Sequence, residues 1–387
     1  MKHITLSKTR RLAGGHLWIF SNEIAHRLTD VEPGELVEVH NAKGEFLAVA
    51  YVNPHTLIAA RVLSRSRVAV DRDFIHARLR RALDYRRRLD PALAHGRMVF
   101  GEADLLPGLV VDKYADTLVL QVQTAGMQRL APMVIDCLEE LLSPDCVVLR
   151  NDSAFRDLEG LPREVSVVKG GEDRRPIISE DGLRFEIDPM HGQKTGFFLD
   201  QRENRAAFAR LIDGGEGLDL FCYAGAWSMH LAARGARVTC VDGSAAALEA
   251  AERNAALNAL SDRIRCEQGD VFAFLKKAQG DGAQYDFAVL DPPAFAKNRA
   301  SLRNAIKAYR QANTAVMSVL RPGGLLATSS CSYHLPQEEF LAIIQNAAGA
   351  QSRTARLIEL RGQARDHPSL VAMPETRYLK CALIELV

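Results

Sequence analysis

Short apolar and polar runs alternate over the first 68 residues, and turn residues separate them. Residues 35–39 and 46–51 flank Asn-Ala-Lys-Gly at 41–44, an arrangement typical of a β-hairpin. Residues 58–63 have the composition of a further strand. Residues 1–68 are therefore predicted to form a small β-rich domain.

A helical spacing replaces this pattern after residue 70. Phe74, Leu79 and Leu83 recur among many arginines, which predicts an amphipathic helix. Residues 61–90 contain ten arginines and four aspartates, a local excess of six positive charges. This basic segment is either a solvated surface or an electrostatic footprint for the phosphates of a nucleic acid.

Residues 69–175 are predicted to form an α+β module, because strand-like runs surround one amphipathic segment. The segment near residues 127–142 is the predicted helix, and Gly-Gly-Glu-Asp at 170–173 is typical of a linker. The predicted strands are 98–101, 109–112, 117–123 and 147–150.

From about residue 177 onward, apolar runs alternate with longer helical segments. This alternation predicts a parallel, doubly wound α/β sheet in a third domain, residues 176–387. Ligands of such sheets bind outside the carboxyl ends of the strands, so we expect the chemistry there. The runs predicted as strands are 218–221, 237–242, 263–268, 287–290 and 324–329.

The composition is that of a folded protein, with 47% hydrophobic and 25% charged residues in a chain of 387. The net charge is only +1, so any basic surface must be local. No run approaches the ~18 apolar residues of a membrane span, and the start lacks a signal-peptide core, so we expect a cytoplasmic protein. Seven scattered cysteines without a C-x-x-C pair favour neither a disulfide framework nor a zinc site, and no metal is expected.

The first predicted strand of the third domain leads into a turn of small residues. Asp219 lies within the strand, and Ala224-Gly225-Ala226 would let a ligand approach the backbone closely. The turn lacks the G-x-G-x-x-G pattern, so it is a poor match for a dinucleotide site. A carboxylate on the strand suits a cofactor with a cationic amino-acid end, although an ordinary tight turn explains the motif equally simply.

Acidic residues also follow the next two strands. Asp242 lies about twenty residues further on, where an acid can accept hydrogen bonds from both hydroxyls of a ribose. Asp270 could pair with the exocyclic amine of an adenine, or it could simply cap the following helix.

The fourth and fifth strands end in the most specific motifs. Asp291-Pro292-Pro293-Ala294-Phe295 predicts a rigid loop, because proline restricts the backbone and removes donors. This loop would present Asp291 and a stacking face on Phe295. The next strand ends in Ser-Cys-Ser around Cys331, whose thiol could attack a ligand or could be a packed core residue.

These strand ends, in this order, resemble the class I S-adenosylmethionine-dependent methyltransferases. The Asp-Pro-Pro-x-Phe loop, with Cys331 one strand later, is similar to the bacterial enzymes that form 5-methylcytosine in large-subunit (23S) ribosomal RNA. Gln-Lys-Thr-Gly-Phe-Phe-Leu-Asp-Gln-Arg at 193–202 also matches that group, and the resemblance covers essentially the whole chain. The chain departs from the family pattern after Cys331, where Ser-Tyr-His follows.

The resemblance implies a PUA RNA-binding domain, an α+β module and a methyltransferase domain, in that order. It implies S-adenosylmethionine as cofactor and ribosomal RNA or an assembling large subunit as partner, and it leaves a homodimer open. Cys331 and Asp291 would be catalytic. The implied cofactor-binding residues are Asp200, Arg202, Asp219, Phe221, Tyr223, Gly225, Asp242, Ser244, Asp270, Asp291 and Pro292.

The implied reaction accounts for these residue types. Addition of the Cys331 thiolate to C6 of cytosine would make C5 an enamine carbon, while Asp291 takes up the charge pushed into the ring. The target base would leave its stack, with the first domain and the basic segment holding the RNA. Pro293-Ala294 stands where two-cysteine relatives carry their second cysteine, so Cys331 would act alone and Cys222 would be structural.

Four other functions remain open from the sequence. Asp-Pro-Pro with an aromatic residue also occurs in methyltransferases that act on exocyclic amines, and these enzymes need no thiol. Methylation of guanine N7 is a second alternative, and a non-catalytic RNA-binding assembly factor is a third. A nicotinamide oxidoreductase fits least, because the glycine fingerprint is missing.

Overall fold

The computed structural model describes residues 1–295 and 301–387. The chain divides into two compact units, each assembled from three segments. Unit 1 consists of Met1–Ile178, Ile187–Leu199 and Arg365–Thr376. Unit 2 consists of Ser179–Glu186, Asp200–Ala364 and Arg377–Val387.

Unit 1 begins with a five-stranded sheet in the spatial order β1-β3-β4-β5-β2. Its elements are β1 (Lys2–Leu6), α1 (Arg10–Ala13), β2 (Trp18–Ile19), β3 (Leu36–Asn41), β4 (Phe46–Val52) and β5 (Ala60–Ser64). The predicted β3–β4 hairpin is confirmed, with Val37 paired to Ala50. Strand β1 was not predicted, and its pairing with β3 is parallel and therefore long-range in sequence.

A second five-stranded sheet of unit 1 has the order β10-β9-β8-β7-β6. Its elements are α2 (Arg72–Leu89), β6 (His95–Phe100), β7 (Leu109–Tyr114), β8 (Thr117–Val122), α3 (Ala125–Leu142), β9 (Cys146–Asn151), α4 (Phe155–Leu158) and β10 (Glu164–Lys169). Asp71 caps α2 by accepting a hydrogen bond of 3.0 Å from the amide of Phe74. The buried side of α2 carries Ile75, Leu79 and Leu83, as the helical spacing predicts.

Unit 2 contains a seven-stranded sheet in the order β15-β14-β13-β16-β17-β19-β18. Two short strands, β11 (Ile177–Glu180) and β12 (Leu183–Glu186), pair separately. The other elements are α5 (Arg202–Ala209), β13 (Glu216–Leu220), α6 (Ala226–Ala232), β14 (Arg237–Asp242), α7 (Ala245–Leu257), β15 (Ile264–Gln268), α8 (Val271–Gly280), β16 (Tyr285–Leu290), α9 (Leu302–Ser318), β17 (Leu320–Ser330), α10 (Gln337–Ala350), β18 (Ala355–Arg361) and β19 (Lys380–Leu386).

The doubly wound α/β fold is confirmed, but an entirely parallel sheet is wrong. Strands β13 to β17 are parallel, whereas β19 runs antiparallel to both β17 and β18. A parallel connection needs a long crossover, usually a helix. Residues 362–379 contain only a short 3₁₀ turn, so the chain returns antiparallel after β18.

Helices cover both faces of this sheet. Tyr309 of α9 and Phe340 of α10 are fully buried in a cluster on one face. Phe208 of α5 and Trp227 of α6 pack with Phe287 of β16 in the cluster on the other face. Parallel strands that are covered on both faces appear in the sequence as continuous apolar runs, which explains why these strands could be predicted from it.

In the part of the chain that the structure describes, helices that combine the length and the apolar surface needed to cross a bilayer are absent.

Candidate active site

The strand order of unit 2 reverses between β13 and β16, which lie side by side with Leu220 paired to Leu290. Such a switch point leaves a crevice at the carboxyl ends of the two strands, where ligands of these sheets bind. The turn after β13 and the loop that begins at Asp291 both start at this edge. The structure therefore brings together two of the sequence motifs.

The turn after β13 has an unusual backbone. Phe221 (φ 63°), Tyr223 (φ 49°) and Gly225 (φ 71°) all adopt left-handed conformations. For non-glycine residues such a conformation costs on the order of 1 kcal/mol each, so the surroundings must hold it. At Gly225, an added Cβ would also lie 3.0 Å from the Cβ of Ala251, which leaves little room for any other residue.

Asp219 is completely buried in β13. Its Oδ2 accepts hydrogen bonds from the amide and the hydroxyl of Ser228, at 3.1 and 2.6 Å. Its Oδ1 has no hydrogen-bond partner among the described residues. Burial, together with the nearby Asp291 carboxylate, raises the pKa of Asp219 to about 7, although the hydrogen bonds from Ser228 oppose the shift. A buried acid with an unsatisfied oxygen is stabilised by a cationic partner, which fits the ammonium end of an amino-acid cofactor.

Asp242 ends β14 and receives one backbone hydrogen bond on each carboxylate oxygen. The amide of Tyr223 donates to Oδ2 at 3.0 Å, and the amide of Ser244 donates to Oδ1 at 2.9 Å. These bonds fix the carboxylate and leave a lone pair on each oxygen for the hydroxyls of a ribose. Ser244 itself caps α7 through a 3.3 Å bond from the amide of Ala247.

Asp270 is exposed and caps α8, because its Oδ1 accepts a 2.9 Å hydrogen bond from the amide of Ala273. The capping interpretation of this residue is therefore confirmed. Its pairing with an adenine stays a prediction.

Asp291 is half-buried at the end of β16, and Pro292 beside it is buried. Its Oδ2 accepts hydrogen bonds from Gln201 Nε2 at 2.9 Å and from Trp227 Nε1 at 3.3 Å. The same Gln201 amide lies 3.1 Å from the hydroxyl of Ser329 on β17. Gln201 thus joins the ends of two neighbouring strands, and neither it nor Trp227 was predicted as a partner of Asp291.

Two further predicted cofactor residues precede α5. Asp200 is buried, and its Oδ2 accepts a hydrogen bond from the hydroxyl of Tyr378. Arg202 is half-buried and is the first residue of α5. Both lie beside Gln201, so one short segment carries all three residues.

Cys331 directly follows β17 and is half-buried. In the next residue, the hydroxyl of Ser332 lies 2.9 Å from the hydroxyl of Tyr309. The ring of Phe295 packs on Tyr309 with its centroid 4.7 Å away. Tyr309 therefore connects the Asp-Pro-Pro-x-Phe loop with the cysteine loop.

Lys380 is a charged residue of this edge that sequence reasoning missed. It is only 8% exposed, and its Nζ donates to the carbonyls of Ser332 and Tyr378 at 2.7 and 2.9 Å. Burial lowers the pKa of Lys380 to about 8, and the electrostatic interaction with Cys331 opposes this shift. A cation beside a thiol favours the thiolate.

The described residues include no group of three or more His, Cys, Asp or Glu side chains arranged to hold a metal ion. Cys222, in the turn after β13, is buried against Cys240 and Leu248.

Comparison with known proteins agrees with this geometry. Residues 3–65 match a family model described as a PUA-like domain, and residues 149–351 match one described as an S-adenosylmethionine-dependent methyltransferase. "Ribosomal RNA large subunit methyltransferase I" of Pseudoalteromonas translucida is 35% identical over 384 residues, covering 98% of this chain and 97% of the relative. The protein of the same name from Shewanella amazonensis is 37% identical over 372 residues, covering 94% of each.

Solved structures share the fold across the whole chain. A candidate methyltransferase crystallised with SAH superposes with a TM-score of 0.87 at 20% identity, and the match covers 100% of both chains. A candidate SAM-dependent methyltransferase from Streptococcus mutans superposes with a TM-score of 0.84, at the same identity and coverage. At this identity, these two structures support the fold alone.

The fold and the family model define an S-adenosylmethionine-dependent methyltransferase with a PUA-like domain. S-adenosylmethionine is therefore its cofactor, and the unsatisfied buried carboxylate of Asp219 suits that molecule. The chain belongs to the ribosomal RNA large subunit methyltransferase I family.

Proposed function

We propose that this protein methylates C5 of a cytosine in large-subunit ribosomal RNA, through a transient bond between Cys331 and C6 of the base. The observation that carries the proposal is the position of Cys331. Cys331 follows β17 at the ligand-binding edge of the sheet, and Asp291 directly follows the neighbouring strand β16. The names of the relatives supply the class of RNA.

The cofactor site of the proposal lies around the turn after β13. S-adenosylmethionine supplies an electrophilic methyl group when bound. Asp219 would bind its ammonium group and Asp242 the ribose hydroxyls, because these carboxylates have free acceptor capacity. The other residues proposed to line this site are Asp200, Arg202, Phe221, Tyr223, Gly225, Ser244, Asp270, Asp291 and Pro292.

The chain's own groups account for the activation of the base. The thiolate of Cys331 forms a bond to C6, and the electron pair of the C5–C6 double bond becomes available at C5. Asp291, in its protonated form, would donate a proton to N3 and so neutralise the charge that addition places on the ring. After methylation, loss of the C5 proton restores the double bond and expels the thiolate, and N3 returns its proton to Asp291.

The remaining parts of the chain would bind the RNA. We assign residues 1–68 to a PUA-type RNA-binding domain, 69–175 to an α+β domain and 176–387 to the methyltransferase domain. The substrate would be ribosomal RNA or an assembling large subunit, and a cytoplasmic location is part of the proposal.

The test compares Cys331→Ala with Cys266→Ala. Cys266 is an equally half-buried cysteine of the same sheet, so it is a matched control. The full-length proteins are incubated with labelled S-adenosylmethionine and large-subunit ribosomal RNA, and 5-methylcytosine is quantified by mass spectrometry of nucleosides. We expect Cys331→Ala to lose at least ~10³-fold in rate and Cys266→Ala to retain activity.

Methyl transfer that survives in Cys331→Ala would contradict covalent catalysis. A product methylated at an exocyclic amine or at guanine N7 would identify one of the alternative reactions. Binding of S-adenosylmethionine without methylation of any RNA would indicate an assembly factor.

A further inference from the structure

The arginines of helix α2 fall into two groups. The helix carries seven arginines, and four of them are engaged within unit 1. Three of these form ion pairs with carboxylates, and Arg78 donates to a backbone carbonyl. The pairs are Arg72–Glu140, Arg86–Asp104, Arg87–Asp84 and Arg78–Leu63.

The other group consists of Arg80, Arg81 and Arg88, which we call the arginine face. All three side chains are exposed, and none has an ion-pair or hydrogen-bond partner in the described parts of unit 1. At 100° per residue they lie within about 100° of one another around the helix axis. They line an open groove of about 480 Å³ together with His76 and Tyr85.

The charge of this face is a local feature. The whole chain has a net charge of only +1, so the three unpaired cations do not reflect a generally basic protein. The groove also contains Asp84, but that carboxylate is paired with Arg87. Glu140 interacts with Arg80 but is itself paired with Arg72, so the three cations outnumber the carboxylates around them and a bound polyanion would relieve their mutual repulsion.

We propose that the arginine face binds the sugar-phosphate backbone of the RNA substrate. Positions 80 to 88 span about 12 Å along the helix, enough to meet several phosphates of one strand. Helix α2 lies outside the residues that either family model matches. The identification of the bound nucleic acid as ribosomal RNA rests on the proposed function.

The composition of the helix favours RNA over a lipid surface. A helix that lies on a membrane buries large apolar side chains next to its cations. None of the exposed large hydrophobic residues of the described chain lies on α2. The groove offers the ring of Tyr85 but no base-reading strand, so the contacts of the arginines would position the RNA without reading its sequence.

The test is a salt titration of RNA binding with the full-length protein and no cofactor. The probe is an in vitro transcript of large-subunit ribosomal RNA, and the variant is Arg80→Gln/Arg81→Gln/Arg88→Gln. Each lost phosphate contact lowers the salt slope of the binding constant by about 0.7 to 0.9. We expect the slope to fall by about 2 and the affinity at low salt to fall by at least ~10-fold.

The matched control removes three exposed arginines that have carboxylate partners. It is Arg163→Gln/Arg237→Gln/Arg356→Gln, which loses the same formal charge; the partners are Asp157, Glu216 and Glu385. We expect its slope to change by less than about 0.5. Equal slopes for the two triple variants would overturn the proposal.

Two further measurements separate the other outcomes. The affinity for S-adenosylmethionine and the thermal midpoint of unfolding should be unchanged in the arginine-face variant. A decrease in either would show that the weaker RNA binding comes from misfolding, and it would overturn the proposal for these residues. Loss of binding to phosphatidylserine vesicles with an unchanged RNA slope would identify a lipid surface instead. The Cys331→Ala assay tests the proposed reaction independently, because RNA affinity is measured here without catalysis.

Discussion

The turn after β13 and the edge beside Cys331 are built in different ways. In the turn, the key contacts join residues at most 19 positions apart, since Asp219 is bonded by Ser228 and Asp242 by Tyr223 and Ser244. At the cysteine edge, the contacts join elements that are far apart in the chain. Gln201 and Asp291 are separated by 90 residues, and Lys380 and Ser332 by 48.

This difference has a chemical consequence. The turn combines acids with a left-handed backbone, which suits a cation that is bound and released with each turnover. The cysteine edge instead surrounds one thiol with a buried lysine and a connected tyrosine, an arrangement that can tune the reactivity of the thiol. Mutations in the turn should therefore change cofactor affinity, and mutations at the edge should change the chemistry.

The largest expected effect in this comparison is that of Asp219→Asn. Because the variant lacks the buried negative charge, we expect S-adenosylmethionine to bind about 10- to 100-fold more weakly in calorimetry at pH 8. Asp270→Asn is the control, because that exposed cap should change affinity by less than about threefold. Similar losses in both variants would contradict the distinction between the two acids.

Asp219 should also make stability depend on pH. Its pKa is raised to about 7 in the folded state, so its stabilising contribution is present at low pH and is lost as the pH rises from about 4 to about 7. Cofactor affinity should change in the opposite sense and increase toward pH 8, as the acid ionises. Asp219→Asn should show neither dependence in chemical denaturation and calorimetry.

An intermediate effect is expected for Lys380→Met. Removal of the buried cation should raise the pKa of the Cys331 thiol, since the thiolate loses a nearby opposite charge. The pH profile of alkylation by iodoacetamide measures this shift, in a background where Cys266 is replaced by alanine. Lys380→Arg should preserve the profile. An unchanged profile in Lys380→Met would mean that Lys380 only donates hydrogen bonds to the backbone and does not affect the thiol.

The smallest effect is expected for Tyr309→Phe. This variant loses one buried hydrogen bond to Ser332 and keeps the contact with Phe295, so it should destabilise unit 2 by about 0.5 to 1.5 kcal/mol. Urea denaturation measures that change. A loss of activity greater than about tenfold would show that the hydroxyl positions the cysteine loop.

The sequence predicted the turn better than the cysteine edge for a physical reason. A strand followed by small residues and an acid is a local pattern, so Asp219, Gly225 and Asp242 could be located from it. Lys380 lies beside the cysteine loop only because β19 pairs antiparallel with β17, opposite Ser330. The pairing register of these two strands cannot be predicted from any local sequence pattern.

The same limit applies to the fold. Strands with continuous apolar runs, such as β13 and β16, were predicted closely, because burial on both faces leaves a strong signal. Strand β10, half-buried or exposed throughout, and β18, where no residue is fully buried, lacked that signal. The left-handed backbone at Phe221 and Tyr223 was equally hidden, since neither residue type favours it.

The most direct test of the account is to trap the bond between the thiol and the base. RNA that contains 5-fluorocytidine cannot lose a proton from C5 after methylation, so a covalent complex should accumulate with the wild-type protein and S-adenosylmethionine. Peptide mass spectrometry should then find the methylated fluorinated nucleotide on Cys331. A wild-type protein that methylates cytosine normally and yet forms no adduct at Cys331 would contradict the account.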